Sequence, residues 1–235
     1  MIENLDYKYI DNHSEETIVL LHGWGLSKNC FEKIVHNLSD RCNILYLDFF
    51  GFSGSSEPQF SYDTYEYACQ IFILLKKLNL KNLTIFGHSF GGRIAIILSS
   101  VFDLNIKKII LASSAGLYRF NIIKFIKIKT YKFIKKIKIF NSKNASKFGS
   151  RDYKKLSPKM KQSFVKIVNQ NLEKLLSKIQ CDVLLIWGGK DRDTPIWICN
   201  KINRYVKQSK KIIYKNCGHF ACFEKMHKTI EVLSN

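Results

Sequence analysis

Asn82-Leu83-Thr84-Ile85-Phe86-Gly87-His88-Ser89-Phe90-Gly91-Gly92-Arg93-Ile94-Ala95-Ile96-Ile97-Leu98 reads as three events in a row. Residues 82–86 form a short apolar run of buried-strand character, 87–92 a tight turn, and 93–98 the body of an apolar helix. In a strand-turn-helix setting, G-x-S-x-G lifts its serine onto a sharp, strained bend. Side chains two residues before and after Ser89 would collide there, so Gly87 and Gly91 fit those positions. Phe90 opens the helix. Its backbone N–H has no intrahelical partner and can donate to an anion beside Ser89 Oγ.

Outward from this turn, strands and helices alternate. Thr17-Ile18-Val19-Leu20-Leu21 is a strand running into the turn His22-Gly23-Trp24-Gly25. Residues 31–38 read as a helix and 43–48 as a second buried strand ending at Asp48. A loop with Gly51, Gly54 and Pro58 follows, then a helical pattern over 63–79. Beyond the central helix, 107–112 and 182–187 read as strands, 195–207 as a helix, 211–214 as a strand and 222–233 as a helix. Near-continuous apolar strands separated by helices predict a mostly parallel sheet covered on both faces.

Residues 117–178 break the alternation. From Leu104 to Arg151 there is no Asp or Glu, against thirteen Lys or Arg. Placed on a helix, Ile122, Ile123, Ile126, Phe133, Ile134, Ile137 and Phe140 share one arc, with lysines mainly on the other side. Ser157-Pro158 predicts the start of another helix, serine capping and proline in the first turn, with Met160, Phe164, Ile167, Val168, Leu172, Leu175 and Leu176 as its apolar positions. The expected organisation is an α/β core of 1–116 and 179–235, with 117–178 inserted as a small, lysine-rich helical lid.

At 235 residues and 46% hydrophobic content the chain suits one well-cored domain. It lacks an uninterrupted apolar run of about 18 residues, which argues against a membrane span. The polar, acidic start carries no secretory signal. Seven scattered cysteines without C-x-x-C read as reduced thiols, so a cytoplasmic location is expected. No metal or cofactor is expected. The net charge of +19 permits an anionic partner, but no nucleic-acid recognition motif accompanies it.

In a parallel sheet, sites form beyond the carboxyl ends of the strands. A serine hydroxyl becomes a useful nucleophile when an imidazole accepts its proton and a carboxylate orients that imidazole. The order Ser89, then Asp191 in Trp187-Gly188-Gly189-Lys190-Asp191-Arg192-Asp193-Thr194-Pro195, then His219 in Gly218-His219-Phe220, supplies those groups after successive strands. Asp193 competes with Asp191 for the acid's place, or else caps the helix opening at Pro195. His88 reads as structural, and Asp48 as a hydrogen-bonding tie for the glycine loop after it. His13, His36 and His227 read as surface residues. The Trp24 indole suits either a pocket wall or the core.

Over its whole length the chain resembles the α/β-hydrolase-fold serine hydrolases. The resemblance rests on His22-Gly23-Trp24-Gly25, Asp48 with Gly51-Phe52-Ser53-Gly54-Ser55, residues 87–92, W-G-x-x-D-x-x-x-P at 187–195, and Gly218-His219-Phe220. It implies an α/β-hydrolase fold, mostly parallel central sheet with helices on both faces and an inserted lid. It also implies Ser89 as nucleophile, His219 as general base and acid, Asp191 as orienting carboxylate, and the Trp24 and Phe90 N–H groups as oxyanion hole. His22, Gly23, Gly87 and Gly91 would support them. The implied reaction is hydrolysis of a small ester or thioester, a carboxylic ester hydrolase, with activity falling on acidification as the base protonates. Carbon–carbon bond hydrolysis, haloperoxidase-like chemistry and a non-catalytic ligand-binding role share the same elbow. The sequence near Trp24 is similar to the pimeloyl-carrier-protein methyl ester esterases, which implies an acidic acyl carrier protein for the basic lid. A peripheral membrane contact through 119–140 is the competing partner.

Overall fold

A computed structural model of the chain describes residues 4–118 and 156–234. The expected first lid helix and the expected membrane contact at 119–140 lie outside the described residues, as do most of the acid-free basic stretch and much of the expected lid. Seven strands form one sheet: β1 (Tyr7–Ile10), β2 (Thr17–Leu21), β3 (Asn43–Leu47), β4 (Leu83–His88), β5 (Ile106–Ala112), β6 (Asp182–Gly188) and β7 (Ser209–Tyr214), in the spatial order β1-β3-β2-β4-β5-β6-β7. β1 runs antiparallel to β3, and the other neighbours are parallel. Sequence reading passed over β1, because Tyr-Lys-Tyr-Ile at a sheet edge has only one partner and no continuous apolar run.

The sheet's two faces follow from the two-residue period of a strand. Val19, Leu21, Leu45, Leu47, Ile85, Ile109, Leu111, Leu185 and Trp187 enter one core cluster. Ile18, Leu20, Ile44, Tyr46, Phe86, Ile110, Ala112 and Ile186 enter the other. The first face is covered by α2 (Thr64–Lys77), α3 (Phe90–Val101), α4 (Pro158–Asn169) and α5 (Ile196–Tyr205); the second by α1 (Glu32–Leu38), α6 (Ala221–Glu224) and α7 (Met226–Leu233). The helix expected over 222–233 is therefore two helices, broken at Lys225. α2 starts with a capping box, Asp63 accepting from the Tyr65 and Glu66 N–H groups at 2.8 and 3.0 Å.

Ser157 does cap α4, accepting from the Met160 N–H at 3.2 Å. The helix stops at Asn169, however, and Leu175 and Leu176 belong to a separate 3₁₀ turn, Glu173–Lys178. Leu172 precedes that turn, and Val168 is 40% exposed rather than part of the buried arc. The break comes from competing partners outside the helix. The Gln170 side chain accepts from Thr64 N–H at 2.8 Å and donates to Asp63 Oδ2 at 2.9 Å. The Gln170 carbonyl takes a bond from Arg93 on α3, at 3.0 Å, and the Leu172 N–H donates to the Gly116 carbonyl at 2.8 Å. Burial lowers the Arg93 guanidinium only to about 10, so it stays charged at neutral pH. These bonds fasten residues 170–172 to α2, α3 and Gly116.

Candidate active site

β4 delivers Ser89 to the carboxyl edge of the sheet at φ 51° and ψ −104°, a conformation costing about 1–3 kcal/mol for a residue with a side chain. Three backbone bonds hold it there. Ser89 N–H donates to the Ala112 carbonyl at 3.0 Å, and the Ser89 carbonyl accepts from Gly92 and Ala115 at 3.2 and 3.0 Å. A Cβ on Gly87 would approach the Gly91 carbonyl oxygen to 2.5 Å. One on Gly91 would fall on the Leu21 carbonyl, where Gly91 N–H already donates to His22 at 3.0 Å. Gly91→Ala is accordingly expected to cost about 3 kcal/mol, since backbone rather than a side chain must yield. Urea denaturation with an unchanged m-value would measure it, and a loss below 0.5 kcal/mol would contradict the contact.

The loops after β6 and β7 bring their side chains to this serine. His219 Nε2 lies 3.0 Å from Ser89 Oγ, and His219 Nδ1 lies 3.0 and 3.2 Å from the two oxygens of Asp191. Asp191 is buried, its side chain fully so, while Asp193 is exposed. Nor does Asp193 cap the following helix, whose N-cap is Pro195 with no side-chain bond. Instead Asp191 Oδ1 accepts from the N–H groups of Asp193 and Thr194, at 3.0 and 2.8 Å, an Asx turn that consumes the acidic end of the segment. Burial pushes the Asp191 pKa up, but the hydrogen bonds from His219 and Thr194 outweigh it and leave the carboxyl below its ordinary value.

Thr194 was not singled out by sequence. Its Oγ1 sits 2.8 Å from Asp191 Oδ2, 3.0 Å from the Ser113 carbonyl and 3.2 Å from His219 Nδ1. An Asp with Thr three residues on is the local signal that would have found it. Asp191, Asp193 and His219 carry ligand-type atoms within 4.8 Å of one another, but the first and last engage theirs in the bonds just described. No metal role follows.

The loop after β2 supplies the fourth side of the site. His22 is buried; Phe49 N–H donates to its Nε2 at 3.2 Å and its Nδ1–H donates to the Gly23 carbonyl at 2.8 Å. That pattern fixes one neutral tautomer, and burial pushes its pKa down to about 4. Trp24 is half-buried, its ring edge-on to Phe52, Phe90 and Phe164 at 4.8, 5.4 and 5.2 Å. These contacts make it part of the packing beside Phe90. Among the described residues, the Trp24 and Phe90 N–H groups have no backbone or side-chain acceptor.

Asp48 ties more than the glycine loop. Its Oδ2 accepts from Gly54 N–H at 3.1 Å and from Lys28 Nζ at 2.9 Å, and its Oδ1 accepts from Lys28 N–H at 2.6 Å. Lys28 also reaches Asp6. Burial raises the Asp48 pKa, and the bonds from Lys28 and Gly54 bring it below the ordinary carboxylate value. Lys28, one of many lysines, carried no sequence mark of this role.

The chain has the α/β-hydrolase fold, and esterases and lipases are among the proteins to which it is similar. A family model described as alpha/beta hydrolase fold matches residues 16–127. The AB hydrolase superfamily protein YisY of Bacillus subtilis is 27% identical over 240 residues, 90% of this chain and 87% of that one. Lipase 1 of Psychrobacter immobilis is 23% identical, over 97% of this chain and 79% of its own length. In fold, an esterase from Exiguobacterium antarcticum superposes with a TM-score of 0.76 at 23% identity, over 97% of this chain and 93% of that one. Among the described residues no helix is long and apolar enough to cross a membrane.

Proposed function

We propose that the protein is a serine hydrolase of carboxylic esters or thioesters working through an acyl-enzyme. The observation that carries this is the unbroken line from Ser89 Oγ to His219 Nε2, and from His219 Nδ1 to Asp191, all at 3.0 Å. Ser89 Oγ attacks the substrate carbonyl carbon while its proton passes to His219 Nε2. Asp191, held ionised, stabilises the resulting imidazolium. The developing oxyanion lies against the Trp24 and Phe90 N–H groups, each donor contributing roughly 3 kcal/mol. His219 then protonates the departing alcohol or thiol. In the second half His219 takes a proton from water, whose oxygen attacks the acyl carbon. The tetrahedral species collapses to free acid, and Ser89 recovers its proton.

Trp24 packs against Phe90, which follows Ser89, and against Phe164, and these apolar rings beside the serine support an apolar acyl group over a charged one. The test is a fluorophosphonate probe together with p-nitrophenyl and CoA-thioester substrates graded by acyl length. Wild-type protein is expected to be labelled at Ser89 and to turn over short acyl esters, with Ser89→Ala inert to both. Equal labelling of wild type and Ser89→Ala would overturn the reading.

A further inference from the structure

His88 takes no step in this chemistry, yet it touches both the loop that carries His219 and the loop that carries Trp24. It immediately precedes Ser89 and is 1% exposed. Its Nε2–H donates to the backbone carbonyl of His219 at 3.1 Å, across 131 residues of sequence. Its ring also packs on the rings of His219 and Phe223, both at 5.1 Å. On its other edge, a Cβ placed on Gly23 would come within 2.7 Å of His88 Nδ1, so the imidazole lies flush against the Trp24 loop. That Nδ1 is buried and has no hydrogen-bond partner among the described residues. Burial holds the His88 pKa down to about 4, leaving one ring proton, and the His219 carbonyl requires it on Nε2.

The segment bearing His219 needs such a hold. It is a surface loop between β7 and α6, flanked by Gly218 and by Phe220, which is 46% exposed. Its backbone is pinned before the histidine, where the Lys190 N–H donates to the Cys217 carbonyl at 3.0 Å, and after it at Phe220. Asp191 and Thr194 engage only Nδ1 of the ring, whereas His88 holds the backbone carbonyl of His219 itself. We propose that His88 is a positioning residue, its bond to the His219 carbonyl setting the loop so that His219 Nε2 meets Ser89 Oγ. The inference rests on the acyl-transfer reading above. A displacement of about 1 Å at a reacting pair can cost on the order of 10²-fold in rate.

The experiment compares wild type, Ser89→Ala, His88→Phe and His88→Gln by the rate of fluorophosphonate labelling at saturating probe, with thermal unfolding run alongside. Phenylalanine keeps the ring's bulk and removes the donor, whereas glutamine keeps an N–H at similar reach. His88→Phe is expected to label between about tenfold and a hundredfold more slowly, with unchanged half-saturating probe concentration. His88→Gln is expected to stay within about threefold of wild type at any comparable loss of Tm. Wild-type speed in the Phe variant, or equal slowing in both, overturns the positioning role. Should the Phe variant not fold, His88→Asn, whose amide is too short for the carbonyl, takes its place under the same criteria. An unlabelled wild type would instead remove the acyl-transfer reading itself, and this inference with it.

Discussion

Ser89→Ala and His219→Ala are each expected to lower kcat on p-nitrophenyl acetate by about 10⁵- to 10⁶-fold, and the double variant is expected to lose little more. On the proposed route the two side chains act as one unit, because the proton that makes Ser89 nucleophilic passes to the His219 ring, 3.0 Å away. Removing either partner removes the whole nucleophilic route. Residual hydrolysis above the uncatalysed rate should survive in both, since the Trp24 and Phe90 N–H groups remain in place. Steady-state kinetics with active-site titration would measure this. Multiplicative losses in the double variant would mean that the two residues work independently and would remove the proposed proton transfer.

The second large effect concerns stability. Asp48→Ala is expected to cost about 3–5 kcal/mol, because it leaves two backbone N–H groups without an acceptor and the buried Lys28 ammonium with Asp6 alone, a carboxylate 37% exposed. The Asp48 side chain is fully buried and that of Lys28 is 9% exposed, so water cannot replace the lost bonds cheaply. The pH dependence has a definite sign. Asp48 has a folded-state pKa below its ordinary value, so its contribution is fully present above about pH 4, the unfolded value. It is lost as pH falls through the lower, folded value. The gap between wild type and Asp48→Ala in guanidinium denaturation should therefore be constant from pH 5 to 8 and should narrow below pH 4. A gap under 1 kcal/mol at neutral pH would mean that Lys28 and Gly54 find other partners.

Much of the fold was legible because its signals are local. β2 and β3 are buried at all five positions each, and a strand with two covered faces must be apolar throughout. The central turn was legible for the same reason, since Gly87 and Gly91 are required by atoms within a few residues or on the adjoining strand. Element ends were less visible. α4 ends at Asn169 because Gln170 is taken by Asp63, Thr64 and Arg93, which approach from other helices.

The candidate site divides along the same line. Ser89, Asp191 and His219 could be named from residue type and order after the strands, as chemistry limits what can activate a serine. The preference for Asp191 over Asp193 rested on resemblance, and burial against His219 is a tertiary fact. Lys28 and Thr194 escaped notice, and His88 read only as structural, because partners of theirs lie 20, 25 and 131 residues away. The amino-acid sequence by itself determined the alternation of strands and helices, the strained serine turn and the placing of Ser89, Asp191 and His219 after successive strands, all of which depend on neighbours along the chain. Only the tertiary structure decided which acid meets the histidine, which lysine is buried and what holds the His219 loop, because burial and hydrogen bonding at those positions are set by segments that meet only when the sheet is assembled.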